Sequence, residues 1–183
     1  MPNFNFRIEN NNQYGIARTQ LKIEWTETFI KNNKKHFDLF NANRGKAENP
    51  FLLGTGVDLG VCDARFDAQL VTRVKQALIR FLQDMQEAEI VITPNAGVDL
   101  DSRRPYPFFF SSDIAFWPPN TTIDTVHNSL IKKSPDLPTI QPIGRLSCDD
   151  MRGDGVGFDE AAFYAKLNAI TDKVVTLQQS MNP

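Results

Sequence analysis

Only two cysteines and two histidines occur among the 183 residues. Cys62 and Cys148 are far apart in the chain, whereas small domains stapled by disulfides carry more cysteines at closer spacing, so two reduced thiols are expected. Each cysteine is followed by aspartate, which opposes thiolate formation, and both read as small apolar residues rather than nucleophiles. His36 and His127 lie on separate expected helices. No Cys-x-x-Cys, His-x-x-x-His or His-Glu-x-x-His spacing is present, and zinc sites usually contain such a close pair. No metal or cofactor is assigned.

Phosphate-binding glycine patterns are also missing. Neither Gly-x-Gly-x-x-Gly nor Gly-x-x-x-x-Gly-Lys occurs, and Gly54-Thr55-Gly56 is too short to cradle a phosphate. No Gly-x-Ser-x-Gly elbow marks a nucleophilic serine. The first residues, Met1-Pro2-Asn3-Phe4-Asn5-Phe6-Arg7, lack a basic stretch followed by an apolar one, so secretion by a signal peptide is not expected. The apolar runs are far too short to span a bilayer. A formal net charge of -2 gives no global attraction to nucleic acid or to an anionic membrane. The expected location is the cytoplasm or an assembled virion.

What the chain has in surplus is phenylalanine, 14 against two tryptophans and three tyrosines. Phenylalanine brings large apolar area with no polar handle. An aromatic-rich core accounts for it, as does burial of some rings against another chain. A length of 183 residues suits one domain, residues 1–183, with a core of its own.

Periodicity gives the elements. Phe4, Phe6 and Ile8 alternate as a short strand, Asn10-Asn11-Asn12 reads as a turn, and Leu21, Ile23 and Trp25 mark a second strand. Thr26 or Thr28 caps a helix expected to run to about Asn41. A short strand is expected around Val57 to Val61, and Asp63 is a plausible cap for the next element. Phe66, Leu70, Val74, Leu78, Phe81 and Met85 recur at spacings of three and four, the clearest amphipathic helix. Strands are expected at Glu89 to Ile92, closed by Thr93-Pro94-Asn95, and at Phe108 to Trp117. Asn120 or Thr121 starts a helix that Ser134-Pro135 stops, and Pro138 to Leu146 is extended. The last helix runs from about Asp159 to Ser180 with Phe163, Leu167, Ile170, Val174 and Leu177 as its stripe. The expected fold is α+β or α/β: a mixed, mainly antiparallel sheet with about four helices packed on it.

Two segments hint at chemistry. Asp149 to Glu160 resembles a calcium-binding EF-hand loop, but counted from Asp150 its third position is Arg152 and its twelfth is Ala161. Calcium needs oxygens at those positions. A capped turn, with Asp159 and Glu160 at a helix start, fits better. Asp99, Asp101 and Asp113 flank a loop and strand, where aspartates most often serve turns. The segment Arg103-Arg104-Pro105-Tyr106-Pro107-Phe108-Phe109-Phe110 mixes cations and aromatics. Arg103, Arg104, Tyr106 and Phe110 are the partner-contact candidates, because arginine and aromatic residues are enriched at binding hot spots. The same mixture can stack bases, but nucleic acid is not the expected partner.

These features favour a non-enzymatic role. The expectation is a structural or adaptor protein acting through self-assembly or partner binding, with a phage or virus particle component such as a tail or neck protein as one form. The competing expectation is a small enzyme or ligand-binding protein with a carboxylate site assembled from Asp99, Asp113 and Asp149.

Overall fold

A computed structural model describes residues 2–13, 16–35, 56–60, 68–95, 113–122, 125–126, 129, 136, 139–146 and 159–181. In chain order the elements are β1 (Phe4–Gln13), β2 (Ile16–Trp25), α1 (Glu27–Asn32), β3 (Gly56–Gly60), α2 (Ala68–Glu87), β4 (Ile92–Asn95), β5 (Asp113–Phe116), β6 (Gly144–Leu146) and α3 (Glu160–Met181). The fold is α+β, with helices packed on antiparallel sheets.

Among the described residues the strands form two three-stranded sheets, ordered β1-β2-β3 and β4-β5-β6, where one sheet was expected. The first is built on a hairpin. Phe4 pairs with Trp25, and the register runs without a break to Gln13 opposite Ile16. Asn10, Asn11 and Asn12 are therefore strand residues opposite Thr19, Arg18 and Ala17, not the expected turn. Turn-forming chemistry in an asparagine tract is overridden here by cross-strand pairing, as strand propensity often is. β3 adds to β2 with Thr19 opposite Leu59.

In the second sheet β5 is central, and its residues Ile114, Ala115 and Phe116, with Trp117 just after it, are all buried. Side chains alternate across a strand. Ile114 and Phe116 enter the main core with Ile92, Leu146, the α2 stripe (Val74, Leu78, Phe81, Leu82, Met85) and the α3 stripe (Phe163, Leu167, Ile170, Val174). Ala115 and Trp117 enter a second cluster with Phe29, Val91 and Val126. Phe81 meets Phe116 edge-on, with centroids 5.1 Å apart. Phe4 and Ile23 join the main core, so the base of the hairpin is locked to the helical layer. Each such fully buried large side chain contributes about 1.5–3 kcal/mol of hydrophobic transfer.

Capping sets the helix ends. Thr26 Oγ1 accepts from the Phe29 N–H at 3.2 Å and caps α1. α1 ends at Asn32, with Asn33 as its cap; Lys34 and Lys35 are helical again, and residues 36–41, over which the expected helix would run on, lie outside the described residues. Asp159 Oδ1 accepts from the Ala162 N–H at 2.9 Å and starts α3 as expected. The buried stripes of α2 and α3 match the expected spacing, though Phe66 and Asp63 lie outside the described residues.

Three helices have ranges among the described residues, where about four were expected; in the stretch of the fourth, Thr125, Val126 and Ser129 are helical and most of the rest lies outside the described residues. At the expected fourth, the Thr121 N–H donates to the Pro118 carbonyl and Asn120 has φ 61°. This is a turn with Pro119 second and a left-handed Asn third, the pattern of type II turns. The cap therefore moves to Thr122, whose Oγ1 accepts from the Thr125 N–H at 3.2 Å. The strand expected at Glu89 to Ile92 is likewise displaced, because the left-handed Glu89 closes the turn after α2 and β4 begins at Ile92. Pro94 thus lies inside β4, which tolerates it as an edge strand.

Candidate functional site

Most residues singled out by sequence lie outside the described residues. These include the partner-contact candidates Arg103, Arg104, Tyr106 and Phe110, as well as Cys62, Cys148, His36, His127, Asp99, Asp101 and the loop 149–158. Asp113 opens β5 opposite Asn95. Among the described residues no group of three or more His, Cys, Asp or Glu side chains gathers to hold a metal, and no helix is long and apolar enough to cross a membrane.

One polar cavity, of about 350 Å³, lies where α1, the end of α2 and the turn before Thr122 meet. Its lining includes Asn3, Asn33, Glu89 and Asn120, and the two non-glycine residues of positive φ among the described residues, Glu89 and Asn120, are among them. Both left-handed residues have local explanations. Glu89 N–H bonds to the Gln86 carbonyl and Ile90 N–H to the Met85 carbonyl, the two bonds of a Schellman helix end. Asn120 serves the turn described above. The lining amides also hold backbone: Asn3 Nδ2 donates to the Glu89 carbonyl at 2.8 Å and Asn33 Nδ2 to the Phe29 carbonyl at 2.8 Å. The cavity is thus a knot of structural hydrogen bonds.

A second cluster joins the starts of α2 and α3. Arg73 Nε donates to Glu160 Oε1 at 2.9 Å, Arg73 Nη2 to Oε2 at 3.3 Å, and the Tyr164 hydroxyl to Oε1 at 2.6 Å. The Arg73 bond, then the Tyr164 bond, holds the Glu160 carboxyl below its ordinary range. Burial first, then the bond to Glu160, pushes the Tyr164 phenol up. The two acidities are driven apart, so neither group is poised to exchange a proton near neutral pH. This cluster is a clasp between helices, and sequence spacing gave no sign of it.

The third feature is the outer edge of β1. The Thr26 N–H donates to the Asn3 carbonyl, which places Asn3 on the β2 side. Gln86 Nε2 donates to the Phe4 carbonyl at 3.0 Å, which places Phe4 on the opposite side, toward α2. A residue in an antiparallel strand turns its N–H and C=O to the same side, alternating along the chain. With an unbroken register, the backbone polar groups of Phe6, Ile8, Asn10 and Asn12 therefore face away from β2. No further strand pairs with β1 among the described residues. From Phe6 to Asn12 this edge extends roughly 20 Å at a rise of ~3.4 Å per residue.

Among the described residues the other sheet ends are shorter or interrupted. β4 carries Pro94, β6 has 3 residues, and β3 has 5 with glycine at both ends. β1 has 10 residues and no proline. Chemically, such an edge offers alternating donors and acceptors to an extended backbone. No family model, curated protein or solved structure matches the chain.

Proposed function

We propose that this chain is a structural or adaptor protein that acts by assembling with copies of itself or with other proteins. The observation that carries the proposal is the long, proline-free β1 edge. Native sheets usually blunt such edges, because an unpaired ladder is a template for another strand. Strand addition at an edge is also a common recognition mode, in which main-chain bonds supply affinity. The contrast with β4, whose edge is interrupted by Pro94, supports a pairing role for β1. The narrower form, a tail or neck component of a phage or virus particle, draws its support from the phenylalanine surplus and the lack of a catalytic motif in the sequence.

The test is the native mass of the purified chain by light scattering after size exclusion, across a concentration series. A defined oligomer is the expected result. A strict monomer throughout would remove self-assembly and leave only a heterologous partner, and a monomer for which no binding protein is recovered would overturn the proposal.

A further inference from the structure

We infer that the partner on the β1 edge is a second copy of the same strand, paired antiparallel about a two-fold axis at Ile8. This inference rests on the assembly reading above and adds its surface, symmetry and register.

Hydrogen-bond parity limits the choices. The outward backbone groups belong to Phe6, Ile8, Asn10 and Asn12, and a partner strand must present the same set. Even-numbered positions therefore face even-numbered positions across the junction. A two-fold axis then passes through one residue position, as an isologous contact requires. Charge selects among the positions. An axis at Arg7 sets Arg7 against the partner subunit's Arg7, and an axis at Glu9 sets Glu9 against the partner subunit's Glu9. Like charges directly opposite destabilise a strand pair. An axis at Phe6 needs the Phe4 carbonyl, which Gln86 already occupies. An axis at Asn10 leaves both charges opposite amides.

An axis at Ile8 places Arg7 opposite the partner subunit's Glu9 and Glu9 opposite the partner subunit's Arg7. Two opposite-charge pairs arise from one symmetric register, while Ile8 faces the partner subunit's Ile8. Arg7 already stands 3.7 Å from Glu24 on β2. The bonded ladder runs through Phe6, Ile8 and Asn10 in each copy and stops short of the Gln86 contact.

The experiment compares native mass for the full chain and its variants at matched concentration, with circular dichroism confirming the fold. Arg7→Glu alone and Glu9→Arg alone are each expected to shift dimer toward monomer, and the double swap to restore dimer. Ile8→Pro is expected to abolish the dimer with the hairpin intact, because the N–H it removes faces away from β2. A dimer that survives the single swaps and Ile8→Pro would overturn this register while leaving assembly through another surface standing. A wild-type chain that stays monomeric would overturn the β1 pairing outright. Failure of the double swap to restore what both single swaps lost would also overturn it.

Discussion

Gln86 on the last turn of α2 donates through its side-chain amide to the Phe4 carbonyl at 3.0 Å, joining the helical layer to the first paired residue of β1. Phe4 itself is fully buried. Replacing Gln86 by Met keeps most of the stem and removes the donor. Leaving a partly buried carbonyl without its partner costs about 1–3 kcal/mol. Gln86→Met is expected to lower the urea midpoint with an unchanged slope. Asn3→Ala, which removes the more exposed bond to Glu89, is expected to cost less. An equal or larger loss for Asn3→Ala would show that burial does not rank these two contacts.

Gly144 in β6 packs against α3 with no room for a side chain. A methyl placed there would lie 2.8 Å from Cγ1 and 3.2 Å from Cδ1 of the buried Ile170. Overpacking of this kind costs about 1–3 kcal/mol. Gly144→Ala is expected to destabilise by that amount in wild type. In an Ile170→Ala background the same substitution is expected to cost much less, since both clashing atoms are gone. A double-mutant cycle on denaturant midpoints measures the coupling. Strict additivity would mean that the strand shifts instead of meeting Ile170.

The helix stripes were legible in the sequence because they are local. Val74, Leu78, Phe81 and Met85 recur at helical spacing and are buried, as are Phe163, Leu167, Ile170 and Val174. The cap at Asp159 was legible for the same reason. The hairpin's length was not, because Asn10, Asn11 and Asn12 have turn-like chemistry and are held extended by residues on another strand. The start of β4 was missed because Glu89, not glycine, occupies the left-handed helix end. The β1 edge was out of reach for a deeper reason. Which strand lies at an edge depends on pairing order, and no local pattern encodes it. The Arg73–Glu160 clasp likewise joins residues from distant helices. The sequence's own partner candidates, Arg103, Arg104, Tyr106 and Phe110, fall outside the described residues.

Glu89 holds φ 55° at the end of α2, where glycine is the usual occupant. A side chain in that conformation costs roughly 1 kcal/mol relative to glycine, partly offset by glycine's greater unfolded-state entropy. The backbone part of Glu89→Gly is therefore expected to raise stability by a few tenths to about 1 kcal/mol, offset by the interaction that Glu89 makes with its surroundings. The Asn3 bond is to the Glu89 carbonyl and survives the change. Thermal melts of the two proteins check this. A marked loss of stability would show that the Glu89 side chain holds more than the helix end requires.

The Arg73–Glu160–Tyr164 clasp predicts opposite pH dependences at the two ends of the scale. The Glu160 carboxyl is held below its ordinary value of 4.5, first by the Arg73 bond and then by Tyr164. Its contribution is fully present above that ordinary value and is lost as pH falls through the lower folded value, because the unfolded chain then binds the extra proton. The Tyr164 phenol is pushed above its ordinary value of 10.0, by burial first and then by Glu160. Its contribution is present below that value and is lost as pH rises through the folded one. Glu160→Gln is expected to flatten the acid slope of stability, and Tyr164→Phe to flatten the alkaline slope while weakening the acid one. Added salt should shrink the acid slope in the wild type, since Arg73 and Glu160 have 51% and 31% of their side chains exposed to screening. Urea midpoints across pH for the three proteins give the slopes directly. An acid slope unchanged in Glu160→Gln would place the titrating carboxyl elsewhere.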